Sequence, residues 1–317
     1  MQNYISTKYP ALLSHDFRIF WTAQLISNIG SQMQFVALNW QVYILTHSAF
    51  ALGFIGFLRF LPILIFSLLG GSFADAHNRK NILYVTQVIS IILSLILTIT
   101  TFNHTITIHI MYIVTILFAI TLSFDLPARQ AILPNLVTKN ELPNAMSLNS
   151  IMFQIALVIG PAISGLLIAK AGLGIIYGLN ALSFIAIILS LLMMRSSGDI
   201  EGEAVNISLE TIREGLAFVR SKTMIWSTML LDFFSTFFSS AIALLPIFAK
   251  DILAVGPIGL GLLYAAPSIG AIAAGLFIAH KQHLKHQGIL LLYYHQSQYM
   301  HWVLLFLDSP TILHCRF

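Results

Sequence analysis

The segment GGSFADAHNRK, residues 70–80, places glycine and three charged side chains between two long apolar runs. Asp75 and Arg79 are four residues apart, and Lys80 follows Arg79 directly. Side chains at this spacing can face a single partner when the backbone is helical. They could therefore form an electrostatic contact between two parts of the fold, or they could only keep a short loop in water.

Arg59 and Asp232 lie deeper inside apolar runs than the other charged residues. On insertion scales a charge at the bilayer centre costs about 2.5–3.5 kcal/mol, so it usually faces a cavity or an oppositely charged partner. Asp232 begins a polar stripe that continues through Ser235 or Thr236 to Ser239, one helical turn at a time. Two interpretations are open: Asp232 carries a proton or recognises a cation, or it forms a structural ion pair with Arg59.

Gln24, Asn28 and Gln32 recur every four residues within another apolar run. These amides share one helix face, where contact with lipid would leave their polar atoms without hydrogen-bond partners. The face is therefore predicted to line a water-filled path for substrate or protons, or else to form hydrogen bonds with neighbouring helices.

The apolar runs that carry these residues are long enough to cross a membrane, which requires about 20 mostly apolar residues. Eight segments qualify: 18–45, 49–74, 81–101, 108–126, 144–169, 173–194, 224–249 and 257–279, with a borderline ninth at 288–307. Hydrophobic residues make up 57% of the 317, and charged residues only 9%, whereas a soluble domain carries about 25% charged residues. The sequence therefore predicts an integral membrane protein and excludes a water-soluble enzyme.

Lysine and arginine are distributed unequally between the loops on the two sides of these segments. One set holds Lys8, Arg18, Arg79, Lys80, Arg129, Lys139, Arg195, Arg213, Arg220, Lys222, Lys281 and Lys285. The other set holds only Lys170 and Lys250. Because cytoplasmic loops are the basic ones, the amino terminus is predicted to be cytoplasmic. The net charge of +4 is thus explained by topology and does not indicate a nucleic-acid partner.

One long polar stretch divides the chain. Residues 1–195 are predicted to form a six-helix bundle, and residues 196–223 a cytoplasmic linker with a short amphipathic helix. Residues 224–290 are predicted to form a partial second bundle, and residues 224–317 together have room for only about three helices. Residues 291–317 have a different composition, and we expect this tail to reflect truncation or a frameshift, the alternative being a divergent ninth helix.

Gly71-x-x-x-Asp75-x-x-x-Arg79-Lys80 resembles the loop signature of the major facilitator superfamily. The stretches FDLPARQAILPNLV at 124–137, IGPAISGLL at 159–167 and ALLPIFAKDIL near 250 resemble its enterobactin exporter-like, multidrug-type branch. Asn78 stands where the signature has a second glycine, and asparagine is expected to preserve a left-handed turn there. The resemblance implies an all-α, polytopic membrane helix bundle, with a six-helix amino-terminal half and an incomplete carboxyl-terminal half.

The resemblance also implies roles for individual residues. Asp75 would face the amino-terminal end of a helix in the second bundle, and Arg79 would pair with Asp125, so that the cluster closes the cytoplasmic side. Gly160 and Pro161 would lie at a contact between bundles that limits leakage. The alternative for Asp75 and Arg79 is that they only keep a short loop in water. The alternative for Gly160 and Pro161 is an ordinary kink in a membrane helix.

The expected function is export of a small organic molecule, siderophore or drug-like, by proton antiport and alternating access. A different substrate or direction, and a non-transporting remnant or regulatory membrane protein, are the alternatives. No nucleotide-binding, metallopeptidase or nucleophile motif is found, so neither an enzyme nor a cofactor is expected. His280, His283 and His286 are spread too widely around a helix for one metal ion. A monomer in a bacterial inner membrane is expected.

Overall fold

The computed structural model describes residues 9–196, 217, 219–223, 226–227, 230 and 241–280. The chain divides into two compact units, residues 1–206 with 243–265, and residues 207–242 with 266–317. Within the described ranges the secondary structure is helical and no strand occurs. The sites below all lie in the first of these units.

Six long helices form the first part of the fold. They are α1 (His15–Thr46), α2 (Ala49–Ala76), α3 (Arg79–Phe102), α4 (Ile108–Ile132), α5 (Leu142–Lys170) and α6 (Leu173–Met193). A short helix, α7 (Leu245–Ile247), follows a 3-10 turn at Ala241–Leu244 and continues into a π-helical turn at Phe248–Ile252. The helix α8 spans Gly256–His280.

Successive long helices run in alternating directions. We call the end where α1, α3 and α5 begin the proximal end, and the end where α1, α3 and α5 finish the distal end. Within the described ranges α2–α6 and α8 are long and apolar enough to cross a membrane. The chain is therefore a multi-pass membrane protein, as its composition predicts.

Helix α1 occupies the predicted segment 18–45, but it is more polar than the other long helices. By composition it is therefore not counted among the helices that are apolar enough to cross a membrane. Its 32 residues give a length of about 48 Å, enough to cross a bilayer. Gln24, Gln34, Asn39 and Gln41 are nonetheless buried. The helix keeps its polar side chains inside the protein, which explains why a polar segment is found among apolar ones. The predicted segment 224–249 lies mostly outside the described residues.

Side-chain caps explain where the helices begin. Ser14, Ser48, Asn78 and Thr107 each accept a hydrogen bond from a backbone N–H in the first turn of α1, α2, α3 and α4. Asn78 has φ −57°, so the expectation of a left-handed turn at this position is wrong. Asparagine replaces the signature glycine as a helix cap, accepting from the N–H groups of Lys80 and Asn81.

Two apolar cores hold the six helices together. The proximal core contains Phe17, Phe20, Leu83, Ile132, Ile187 and Leu191, and the distal core contains Leu52, Leu97, Met111, Ile176 and Tyr177. Helix α2 packs along α4, α3 packs on α4 and α6, and α1 packs on α5 and α6. A third cluster, which includes Trp40, Leu245, Ala249 and Leu260, joins α1 to α7 and α8.

Candidate functional site

The proximal end carries a buried carboxylate on α4. Asp125 accepts hydrogen bonds from Thr86 Oγ1 at 2.8 Å and Gln87 Nε2 at 2.6 Å, both on α3. It also forms an ion pair with Arg129, one turn further along α4. Charge-assisted bonds of this kind are stronger than neutral ones. Asp125 therefore links α3 to α4 just inside the proximal end.

Arg79 does not pair with Asp125 in this conformation, so the pairing implied by the resemblance is corrected. Its Nη1 atom donates to Asn135 Oδ1 at 2.9 Å, because Asn135 lies beside the start of α3. Asp125 is instead neutralised by Arg129, whose side chain is close along the same helix. The FDLPARQ stretch contains that i, i+4 pair, which is the sequence signal for this arrangement.

We call the polar side chains joined at this end the proximal cluster, which comprises Arg79, Thr86, Gln87, Asp125, Arg129 and Asn135. Several of its polar atoms are buried without a hydrogen-bond partner in the described part of the chain. They are Arg79 Nε, Gln87 Oε1 and Arg129 Nη1. A buried donor or acceptor left unpaired is unfavourable. The cluster therefore retains free donors and an acceptor that a second arrangement of the same side chains could use.

The glycines of the segment 70–80 have different surroundings. A Cβ atom on Gly71, the glycine of the family signature, would meet no atom within 4 Å. A Cβ atom on Gly70 would collide with the backbone carbonyl of Ser123 on α4, lying 2.8 Å from its carbon. Gly70 therefore permits the close crossing of α2 and α4. Asp75 is exposed, and the structure does not bring it to the other residues of the cluster.

The end of α6 is held at the proximal surface by two charged side chains. Asp16 Oδ2 accepts from the backbone N–H groups of Ser196 at 2.8 Å and Arg195 at 3.1 Å. Lys80 Nζ donates to the backbone carbonyls of Met194 at 3.1 Å and Ser196 at 3.5 Å. Lys80 thus binds the start of the predicted linker, and its role is distinct from that of Arg79.

Burial alone would raise the pKa of the Asp16 carboxyl, but the N–H groups of Ser196 and Arg195, with His15, hold that pKa below its ordinary value of 3.8. A carboxyl whose pKa is lowered by folding stabilises the folded protein at pH values above its ordinary pKa. This stabilisation is lost as the pH falls through the pKa of the folded state. We therefore expect Asp16→Asn to lower the thermal unfolding temperature in detergent at pH 7, with a difference that shrinks below about pH 3.8. A constant difference from pH 7 to pH 3 would contradict this role. Asp75→Asn is the matched control, with little effect at either pH.

Helix α5 contacts α1 through its smallest residues. A Cβ atom on Gly160 would lie 2.5 Å from Gln32 Cβ and 2.9 Å from the Ile29 carbonyl oxygen. Ser164 Oγ donates to the Met33 carbonyl at 2.9 Å. Pro161 lies within α5 and is buried. The GPAISG stretch therefore brings α5 and α1 into backbone contact.

The same stretch also meets α8. A Cβ atom on Gly165 would lie 2.6 Å from the Pro257 carbonyl oxygen, and one on either Gly165 or Gly261 would lie 3.1 Å from the Cα atom of the other. Pro161 contributes its carbonyl oxygen to this crossing. Small residues allow helix backbones to approach closely in membranes. The sequence analysis expected a contact at Gly160 and Pro161 but did not single out Gly165 and Gly261.

The amide stripe that was predicted on α1 has contacts within α1 and with α5. Gln24 is buried, and Asn28 Nδ2 donates back to the Gln24 carbonyl at 2.9 Å. Gln32 is half-buried and has its Cβ atom against Gly160. Asn28 and Gln32 lie toward α5, and the role of the stripe as a substrate or proton path stays a prediction.

A second amide pair on α1, spaced seven residues apart, forms the stronger interhelical hydrogen bonds. Gln34 Oε1 accepts from Ser94 Oγ at 2.9 Å and Asn180 Nδ2 at 2.8 Å. Gln41 accepts from the Tyr177 hydroxyl at 2.6 Å and donates to Thr101 at 3.3 Å. Sequence reasoning missed this pair, although two glutamines at heptad spacing were a usable signal. These residues hold α1 to α3 and α6.

Arg59 lies near the middle of the span in α2, with its guanidinium carbon 4.7 Å from the centroid of the Phe35 ring on α1. Phe35 in turn contacts Tyr264 on α8 edge to face, with ring centroids 5.7 Å apart. Asp232, His283 and His286 lie outside the described residues. In the described ranges no group of three or more His, Cys, Asp or Glu side chains could hold a metal ion.

A further contact at the distal end joins α1 to the π-helical turn. The Tyr43 hydroxyl hydrogen-bonds to Asp251, and Lys250 Nζ lies 5.7 Å from the centroid of the Tyr43 ring. π-Helical turns often occur at functional sites. Sequence reasoning did not select these residues, since a lone Lys-Asp pair in a short loop has no distinctive spacing.

Comparison with known proteins reveals relatives along most of the chain. It is 29% identical to the staphyloferrin A transporter of Staphylococcus aureus over 88% of its length and 70% of the relative's. It is 24% identical to macrolide efflux protein A of Streptococcus pyogenes, covering 83% of this chain and 65% of that protein. It is 25% identical to the enterobactin exporter of Escherichia coli O127:H6, covering 87% and 66% respectively. The chain thus spans about two thirds of the length of these relatives.

The fold has a counterpart among solved structures. A bacterial homologue of the human lysosomal transporter Spinster, solved in an inward-facing and unoccupied conformation, superimposes with a TM-score of 0.65 at 15% identity. The match covers 83% of this chain and 62% of that one. The family and these relatives are transporters, not enzymes. Residues 6–313 match the profile of the transmembrane secretion effectors, and the chain belongs to this family of the major facilitator superfamily.

Proposed function

We propose that this chain is the transport unit, or part of it, of a secondary transporter that exports a small organic molecule from the cytoplasm. Its proximal end would face the cytoplasm of a bacterial inner membrane, in agreement with the basic loops at that end. Three relatives are named for siderophore transport, enterobactin export or macrolide efflux. A monomer is sufficient, because α1, α5 and α8 of one chain form the contact on which the mechanism rests.

The observation that carries the proposal is the crossing of α5 and α8 at Gly165 and Gly261. No side chain separates the two backbones at this point, so one helix can tilt on the other without repacking large groups. Gly160 provides a similar contact with α1. Rigid-body rocking of helices about such contacts is one established form of conformational switching. The glycine crossing would act as the pivot, and it would also exclude water.

The proximal cluster would then control access from the cytoplasm. Asp125, Arg129 and Arg79 lie at the ends of α3 and α4, and some of their polar atoms have no partner in the described part of the chain. Exchange of these bonds for others would accompany opening. Proton antiport is proposed as the driving force, with Asp232 as the carboxylate indicated by the sequence and Asp125 as the buried carboxylate seen in the structure.

The test uses everted membrane vesicles containing the full chain, energised by respiration. Two dyes with the same three-ring skeleton are supplied: the anion fluorescein methyl ester at pH 8 and the cation rhodamine 123. We expect at least one dye to accumulate above the level in vesicles without the chain, and a protonophore to abolish the difference. Accumulation of neither dye would overturn the proposed export function, and accumulation that survives the protonophore would overturn proton coupling alone.

Gly165→Leu is expected to remove this transport, because its side chain would enter the backbones of Pro257 and Gly261. The loss should be at least on the order of tenfold in initial rate, since overpacking of a tight contact forces the helices apart. Gly53→Leu is the matched control, because a Cβ atom at Gly53 meets nothing within 4 Å. Equal transport by the Gly165 and Gly53 variants would remove the pivot from the mechanism.

A further inference from the structure

We propose that Arg59, Phe35 and Tyr264 form a recognition cluster that selects an organic anion with an aromatic or other flat apolar part as the transported molecule. This inference rests on the proposed export function and specifies its substrate class. The three residues come from α2, α1 and α8. Together they place a positive charge, an apolar ring and a phenolic donor next to one another.

Arg59 is too far from either membrane surface to place its charge in water there. It lies ten residues from the start of α2 at Ala49, a rise of about 15 Å. Its guanidinium lies over the Phe35 ring, 4.7 Å from the centroid, so the side chain points toward α1. The residue is nevertheless exposed and not enclosed by neighbouring side chains, and among the described residues no carboxylate pairs with it. A cation at this depth is typical of a ligand counter-ion.

Tyr264 supplies a hydrogen-bond donor beside this cation. Its side chain is 8% exposed, and its hydroxyl has no hydrogen-bond partner in the described part of the chain. Its ring packs edge to face against the Phe35 ring, with the centroids 5.7 Å apart and an angle of 77° between the ring planes. A buried hydroxyl without a partner is unfavourable, and an anion seated against Arg59 could accept its hydrogen bond.

The surroundings favour an anion that also carries apolar surface. Val36, Trp40 and Leu260 are buried next to Phe35 and Tyr264 in one cluster. In such a setting the charge of Arg59 is poorly screened, so it attracts an anion strongly and repels a cation. The polar groups of such a site find hydrogen-bond partners only when the correct ligand is bound. A wrong ligand leaves these groups unpaired, and this cost is what discriminates against it.

The test applies the same vesicles and the same two dyes to point variants. The unmodified chain should accumulate fluorescein methyl ester and not rhodamine 123. Arg59→Gln should lower accumulation of the anionic dye on the order of tenfold, and Tyr264→Phe by a few-fold, because each removes one bond to the anion. Arg59→Lys retains the charge and should retain most of the anion transport. Lys170→Gln, which removes an exposed cation at the end of α5, should change neither dye.

The outcomes separate this inference from the export function itself. Accumulation of rhodamine 123 with exclusion of fluorescein methyl ester would leave export standing and overturn anion selection. Equal transport of the anionic dye by Arg59→Gln and the unmodified chain would also overturn it. Another outcome is that Arg59→Gln abolishes accumulation of every dye that the unmodified chain transports. In that case two further results together support anion selection: the Arg59→Gln protein elutes as a single folded species in detergent, and Arg59→Lys remains active. Loss of transport in Arg59→Lys as well would assign Arg59 a structural role and overturn the inference.

Discussion

Gly70→Ala should prevent most of the protein from reaching its folded form, although it adds only one methyl group. The added Cβ would lie 2.8 Å from the carbonyl carbon of Ser123, and a backbone carbonyl cannot rotate aside as a side chain can. Helices α2 and α4, which pack together along their length, would have to separate. We expect a destabilisation of roughly 3 kcal/mol or more, at the upper end of overpacking effects. Thermal unfolding of the purified protein in detergent, with the yield of monodisperse protein, measures it.

Gly71→Ala is the matched control at the neighbouring position. Its Cβ would meet no atom within 4 Å, and replacing a helical glycine by alanine stabilises a helix by up to about 1 kcal/mol. We therefore expect unchanged or slightly raised thermal stability. The role of Gly71 that the family signature implies is tested separately, by measuring transport of the dyes by the same variant. Equal stability of the two variants would show that α2 and α4 do not cross at Gly70.

Asp125→Ala should be the most destabilising change to a charged residue in the described part of the chain. It would leave the Arg129 guanidinium without its partner, with a side chain 13% exposed, and it would also remove the acceptor of Thr86 and Gln87. Breaking a buried ion pair by removing one member costs about 3–5 kcal/mol. The thermal unfolding temperature in detergent, compared with that of the unmodified chain, measures this loss.

The double variant Asp125→Leu with Arg129→Met is the informative control. Because apolar residues can replace a buried pair with little loss, it should recover much of the stability lost in Asp125→Ala. Arg79→Gln should be milder than Asp125→Ala, since Arg79 donates to Asn135 and not to Asp125. If Arg79→Gln instead matches Asp125→Ala, the two side chains are coupled and the pairing implied by the family resemblance applies.

The helical membrane fold was predictable because hydropathy and length decide it. Helices α2–α6 occur close to where apolar runs predicted them, since backbone hydrogen bonds must be satisfied within the helix in lipid. Helix α1 was predicted as a span, but its polarity has a cause that periodicity could not show. Gln34 and Gln41 bond to α3 and α6, and the partners of a buried amide depend on how distant segments pack.

The site was predictable only in part, for the same reason. The motifs selected the stretches 70–80 and 159–167, which contain close helix contacts, but they did not show which atoms are in contact. Of the glycines that the family resemblance selected, Gly160 makes a close backbone approach and Gly71 does not. Gly70 and Gly165 make two further close approaches that the motifs did not single out. Arg129 was counted only as a basic loop residue, although its position four residues after Asp125 fits the pair that forms. Which of several neighbouring charges pair is decided by tertiary distances that a linear pattern does not contain.

The attachment of residues 194–196 has a mechanical consequence. Asp16 and Lys80 bind the backbone that leaves α6 to the first turns of α1 and α3. A force on the backbone at residues 194–196 would therefore be shared by three helix ends and would not act on the last turn of α6 alone. Lys80 also follows Arg79 directly, so the same load acts one residue from the bond to Asn135. The point at which the chain leaves α6 is thus attached beside the proximal cluster.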